Sequence, residues 1–398
     1  MPFLFFNTQQ GPATKRYMVV ACACAFCLFS FCYLLSYQTD VLVAGQHVLS
    51  GGKTHYVGWV GAVLITLTLL LLQRVVFMLT KLSKRAHFLT YFPSMLILTI
   101  VTDVSSTIDL GFSFGGWYVA VPILLFLFVG AVWVARQMEP FEPEPASPGI
   151  TSRIIWVNLI AMVMMMVLTG IFSNGDEAFH QRMRMERLIA EGKYVQAVKV
   201  GKNSQVADPQ VTMLRAFALS KKGLMGEHFF EYPFVREGKT LMHDTIGNRT
   251  ILLNDSILAT VTKSSRARLD YRLVDMLIDR DIERFANTVQ KAYPDSMMPK
   301  HYAEALAIYK KIAPPPPPKV EEKDSKKGRK KKKKEEEKVV EPAPDPMLLR
   351  LDEFLEMKEK KDKPGVALKL WKEFGDTYWY YYYIQVPHSL NFQELKGS

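Results

Sequence analysis

Five apolar stretches dominate the first 173 positions: 17–37, 56–79, 86–102, 117–135 and 154–172. Each approaches the roughly 20 residues that a helix needs to cross the hydrocarbon of a bilayer. The third is the shortest and contains Pro93. Trp59, Trp117, Trp133 and Trp156 fall near predicted ends, where an amphipathic indole prefers the interface. Beyond position 173 the pattern changes to apolar residues recurring at helical spacing among polar ones. The expected fold class is therefore all-α: a five-helix transmembrane region over 1–173, followed by a soluble domain of helical hairpins.

Charge sharpens the division. Met1 to Ser173 hold 15 Asp, Glu, Lys and Arg, and Asn174 to Ser398 hold 74. The near-zero mean hydropathy of +0.03 averages these two halves, and a soluble protein with one core is excluded. The four cysteines, Cys22, Cys24, Cys27 and Cys32, all lie in the first apolar stretch. That placement excludes a disulfide-stapled secreted domain.

Lys and Arg in short loops resist translocation, so they report orientation. With the N-terminus inside, Lys15, Arg16, Arg74, Lys81, Lys84, Arg85, Arg136 and Arg153 are cytoplasmic and only Lys53 is left on an outer loop. Five crossings then send Asn174 onward to the periplasm of a bacterial inner membrane. The stretch 17–37 reads as an uncleaved anchor, because it is long for a signal core and no small-x-small site follows in Ser36–Asp40.

In the polar half, 174–313 reads as tetratricopeptide-like hairpins. Gly192, Tyr194, Ala197 and Pro209 fall at the turn, aromatic, small and terminating positions of a 34-residue repeat, with Leu188 at an apolar position of the first helix. Gly201 and Gln181 stand where bulky aromatics are expected. Leu269, Leu273, Met276, Ile282, Phe285, Val289 and Ala292 outline a second hairpin with its turn near Arg280-Asp281, and Tyr302, Ala305 and Tyr309 repeat a second-helix spacing. The same spacings also suit a helical bundle without repeats. Phe234–Ser265 reads as an insertion with a short β hairpin. The segment 314–346, with five prolines from Pro314 and a Lys/Glu-rich run, reads as a disordered linker and solvated spacer. C-terminal helices follow over 347–398, ending in the aromatic cluster Tyr378–Tyr383, and are expected to pack on 174–313.

Several segments together carry a resemblance: Gln46–Gly52 with Thr54–Tyr56, Leu214–Ser220, Pro299–Tyr302 with Glu304–Leu306, and Phe374–Trp379. On these the chain resembles a family of uncharacterised bacterial polytopic membrane proteins with a tetratricopeptide-like C-terminal region. The resemblance implies an envelope location and supplies no activity and no catalytic residue.

No metal-ligand spacing, phosphate loop or nucleophile elbow is present in the sequence, so no cofactor and no metal are expected. The outer loops bring together Asp40, His47, Lys53, His55, Asp103 and Asp109. A His beside a carboxylate there would act as a general base on a lipid or lipid-linked substrate; the candidates are His47, His55, Asp103 and Asp109. Against this stands the ordinary reading of those residues as turn and loop positions. The favoured expectation is a non-enzyme, a scaffold or adaptor that binds a protein partner in the envelope through a groove containing Tyr194, Tyr302, Tyr309, Trp379 and Tyr380. Membrane lipids are the other expected partner; nucleic acid and a small-molecule substrate are disfavoured.

Overall fold

The computed structural model describes residues 13–111, 113–141, 152–204, 207–235, 241, 250–261, 263–294, 297–312 and 345–385. Nearly all of the expected linker, and most of the insertion's first half, fall outside them. The described residues are helical, with no strand among them, and the chain divides into two units: Met1–Gly192 with Thr250–Asn254, and Lys193–Arg249 with Asp255–Ser398.

The first unit contains α1 (Ala13–Cys32), α2 (Thr39–Leu49), α3 (Gly58–Thr80), α4 (Phe92–Thr102), α5 (Trp117–Met138), α6 (Arg153–Phe172) and α7 (Glu177–Ala190). Four helical segments are long and apolar enough to cross a membrane: Lys15–Tyr37, Gly58–Thr80, Trp117–Phe141 and Arg153–Phe172. The third sequence stretch becomes a shorter apolar helix, His87–Thr102. It opens as a 3-10 turn over His87–Tyr91, and Pro93 sits in the first turn of α4, where its missing N–H costs nothing. At the rises of the two helix types it is about 26 Å long.

Hydrogen bonds fix the helix directions. Met18 Sδ receives a bond from Asn158 Nδ2 near the start of α1 and α6, and Tyr33 donates to Ser173 near their ends, so the two run parallel. Phe88 N donates to Asn158 Oδ1, Thr99 donates to Thr169 Oγ1, and Asn174 N donates to Thr102 O. The 87–102 segment therefore also runs parallel to α6. Gln73 donates to Thr90, and Ser94 to the Leu69 carbonyl; these pairs step down α3 as they step up α4, so α3 is antiparallel. A buried apolar cluster including Met18, Phe26, Leu69, Tyr91, Leu98 and Met162 fills the space between these helices. The helix α5 is different, because none of its residues is buried. It is tied at its ends, by Arg136 to the Leu79 and Thr80 carbonyls and by Trp117 to Asp103, and in the middle by a Phe92–Phe128 ring stack.

The segment expected as an outer loop after the first apolar stretch folds instead as α2, because Val41, Leu42 and Ala44 find a buried face. The first unit runs past position 173 and includes α7. Phe179 and Met183 pack with Val41, Ala44 and Ile108, and Arg187 pairs with Asp40 at 2.8 Å. Glu186, fully buried, receives Arg182 at 2.9 Å and the backbone N–H groups of Ile251 and Leu252 at 2.8 and 2.7 Å. That carboxylate holds residues 250–254 in the first unit, and Ile251–Leu253 form bends where a hairpin strand was expected. Burial raises the Glu186 pKa against the lowering pull of Arg182.

The second unit runs through α8 (Tyr194–Lys199), α9 (Pro209–Lys222), α10 (Met225–His228), α11 (Asp255–Leu258), α12 (Ser265–Ile278), α13 (Ile282–Ala292), α14 (Lys300–Ile312), α15 (Pro346–Glu359), α16 (Val366–Phe374) and α17 (Tyr378–Tyr380). Successive helices α12 to α16 pack each on the next. The turn between α12 and α13 places Arg280 at φ 61°, and Asp281 caps α13 through Arg284 N. The aromatic end docks on α12 and α14: Tyr378 and Tyr381 hydroxyls donate to the Leu277 and Ile278 carbonyls, and Trp379 Nε1 donates to the Glu304 carbonyl. The Glu304 carboxylate accepts from His301 Nδ1 and from Tyr378 N. Arg215, buried in α9, donates to the Val200 and Pro233 carbonyls, and burial lowers its pKa to about 10.

Candidate functional site

A cleft of about 1240 Å³ opens in the first unit at the end of the bundle where α2, α4 and α6 finish and where α5 and α7 begin. Its apolar part comes from Ile100 and Val101 of α4, Ala120 of α5 and Phe172 of α6. Its polar part comes from Gln46 and Ser50, the Ser105–Thr107 segment, Ser113, and Asn174. Tyr56, Phe114 and Trp117 supply aromatic faces. The cleft is larger than most drug-sized pockets, with room for a head group and part of a chain.

Local sequence explains the walls. Tyr56 reaches its place because position 61 lacks a side chain; a Cβ at Gly61 would lie 2.3 Å from the Tyr56 ring. Asn174 organises the far wall: its backbone N–H donates to Thr102 O, its Nδ2 to Val104 O, and its Oδ1 accepts from Asp176 N at 2.8 Å. Behind it the buried Gln38 Nε2 donates to Ser173 Oγ at 3.3 Å and to the Asn174 carbonyl at 3.2 Å. Asp176 caps α7 by accepting from Ala178 N and Phe179 N. Trp117 Nε1 donates to Asp103 Oδ2 at 2.7 Å.

Of the four residues nominated for acid–base chemistry, only Asp103 lines the cleft, and its carboxylate is turned to the Trp117 indole. His47 rests against Gly52, while His55 and Asp109 are exposed and lie outside the cleft wall. Asp40 is taken by Arg187. Among the described residues, no group of three His, Cys, Asp or Glu side chains is placed to hold a metal.

The aromatic groove residues of the second unit separate by burial. Tyr302 and Trp379 are fully buried core side chains, so neither faces an open groove. Tyr302 donates to Asp270 Oδ1 at 3.3 Å, and burial raises the Asp270 pKa. Tyr194, Tyr309 and Tyr380 are half-buried. Among the exposed apolar residues of this unit that sequence reading passed over, Leu368 and Trp371 share one helix, α16, each 57% exposed, while Leu370 and Phe374 of the same helix are buried. The cleft residues Gln46, Ser50, Tyr56, Ser105–Thr107 and Asn174 were passed over too. Gln46, Ser50 and Tyr56 fall in the segments that carry the family resemblance, and Ser105–Thr107 open a Ser/Thr/Gly-rich run to Gly116 that also reads as plain turns.

A family model described as a family of unknown function, DUF6057, matches residues 240–385. That match covers the C-terminal region, including α12 to α17. No curated protein and no solved structure matches the chain.

Proposed function

We propose that the chain is a bacterial inner-membrane protein that crosses the bilayer five times, with its N-terminus cytoplasmic, and acts as a scaffold through a tetratricopeptide-like unit in the periplasm. The short third helix supports five crossings: it starts level with Asn158 of α6 and ends level with Asn174, just past the end of α6, and its ~26 Å needs only slight thinning of a ~30 Å hydrocarbon core. The helix directions gather Arg74 with Lys81, Lys84 and Arg85, the end of α5 at Arg136, and the start of α6 at Arg153 at one end of the bundle. Ser83 and Lys84 meet Glu139 there. This favours that end as the cytoplasmic one.

The observation that carries the scaffold reading is α16, which turns Leu368 and Trp371 outward, one turn apart, on a unit of helices stacked each on the next. Exposed Trp is enriched among residues that anchor partners, and stacked hairpins offer extended binding faces. The test is site-specific photo-crosslinking in cells. A photoreactive residue at position 368 should give one discrete adduct that is lost on Trp371→Asp, while the same residue at Lys361 gives none. Equal adducts at both positions, or an adduct indifferent to Trp371→Asp, would remove the reading.

The cleft favours a second reading, in which the membrane unit binds a lipid-class ligand. Its apolar flank lies on helices read as membrane spans, and its polar rim lies at their ends. The earlier enzyme alternative has one cleft residue, Asp103, and is carried no further.

A further inference from the structure

The cleft's electrostatics narrow what it would hold, and the narrowing rests on the second reading above, that its occupant is a lipid. No Lys, Arg or His is among the described residues that line it. Two carboxylates, Asp103 and Asp176, do. Helix ends reinforce that sign. The carbonyl ends of α2, α4 and α6 reach the cleft at Ser50, Asp103 and Phe172, each carrying the negative end of a helix dipole. Two N-termini also face it and would attract an anion. The α7 N-terminus is capped by the Asp176 carboxylate, and the α5 N-terminus, which has no side-chain cap, has the Asp103 carboxylate beside it on the Trp117 indole. A phosphate head group would therefore meet carboxylates and find no Lys, Arg or His among the described lining residues to pair with.

What remains available is hydrogen bonding and aromatic surface. Ser50, Ser105, Ser106, Thr107 and Ser113 carry hydroxyls that both donate and accept, and Gln46 carries an amide. A sugar presents the same mixed donors and acceptors, while an ammonium group donates only. The Trp117, Tyr56 and Phe114 rings supply apolar faces for the C–H face of a sugar ring. Below the rim, Ile100, Val101, Ala120 and Phe172 continue the cleft as apolar surface suited to an acyl or isoprenoid chain. We infer that the cleft binds a lipid with an uncharged sugar head group, the sugar among the rim hydroxyls and the chain along α4, α5 and α6.

The experiment uses the full-length protein in mild detergent, with bound lipid read by native mass spectrometry. The probes are glucosyl diacylglycerol, phosphatidylglycerol with the same chains, and free glucose. The glucosyl lipid should be retained about tenfold more tightly than the anionic lipid, and glucose alone should not be retained. Ala120→Trp, which fills the cleft, should abolish the glucosyl adduct without shifting the thermal midpoint; Val101→Trp serves if that variant fails to fold. Equal or tighter retention of phosphatidylglycerol would overturn the head-group assignment and leave the lipid reading standing. Retention of glucose as tight as that of the lipid would overturn the role of the chain. Retention of neither lipid, or retention indifferent to both Trp variants, would overturn the lipid reading itself.

Discussion

The helices α5 and α6 are near equals as sequence and opposites as structure. Both are long enough and apolar enough to span a membrane, yet 28% of the α6 span is buried and none of the α5 span is. Apolar character does not separate them, because lipid tails solvate Leu as well as another helix does and so give no hydrophobic drive to association. Polar side chains bonded to neighbouring helices separate them. Asn158 of α6 donates to Lys84 O, Ile154 O and Met18 Sδ and accepts from Phe88 N, and Thr169 accepts from Thr99. Between Tyr118 and Arg136, α5 has no polar side-chain group apart from the Trp133 indole N–H. It joins its neighbours by its two ends and one ring stack.

The largest test of that contrast lies where the α6 chain continues into α7. Glu186→Ala leaves Arg182 and two backbone N–H groups buried without their acceptor, and should cost about 3–5 kcal/mol in thermal or denaturant unfolding. The same carboxyl sets a pH dependence. Its folded pKa is raised by burial, so the folded state holds this proton more tightly than the unfolded chain does. Its contribution to stability is full below the ordinary carboxylate range and is lost as pH rises through the raised value. Glu186→Gln should remove that slope; an unchanged slope would assign it to another group.

Asn158→Leu is expected next, at about 2–3 kcal/mol, since it orphans Phe88 N inside the bundle and leaves the Lys84 carbonyl only its bond from His87 N. A loss no larger than that from Val129→Leu on α5, expected within about 0.5 kcal/mol of zero, would dissolve the contrast. Phe128→Ala should cost about 0.5–1.5 kcal/mol through the lost stack on Phe92, read as weaker crosslinking between cysteines introduced on α4 and α5. Smallest in stability is Gly61→Ala. Its Cβ displaces the Tyr56 ring, so it should weaken retention of the glucosyl lipid more than it lowers the thermal midpoint.

Much of the architecture was legible before any coordinate. Hydropathy runs of bilayer length are set by solvent alone, so four of the stretches coincide with long apolar helices. The turn at Arg280-Asp281 could be read because Asp is a strong helix cap and the apolar spacing breaks there. The segment 38–55 was harder. Its apolar positions Val41 and Ala44 mean little until Phe179 and Met183, more than 130 positions later, supply the face they pack against. The site was harder still. His47 and His55 belong to one expected outer loop and Asp103 and Asp109 to the other, but Asp103 bonds to the Trp117 indole and, of the four, only it reaches the cleft. Tyr302 and Trp379 have the aromatic character of anchors, and their hydroxyl and indole N–H are satisfied inside the core.

The all-helical class and the four long apolar helices follow from local pattern, because each reflects how a single segment exchanges water for an apolar surrounding or for its own backbone. Which apolar helix is buried, which carboxylates line the cleft and which aromatic residues are core emerge only once the chain is folded. Those outcomes depend on partners far away in the chain, and a hydrogen bond or a packing contact has no energy until both of its halves are in place.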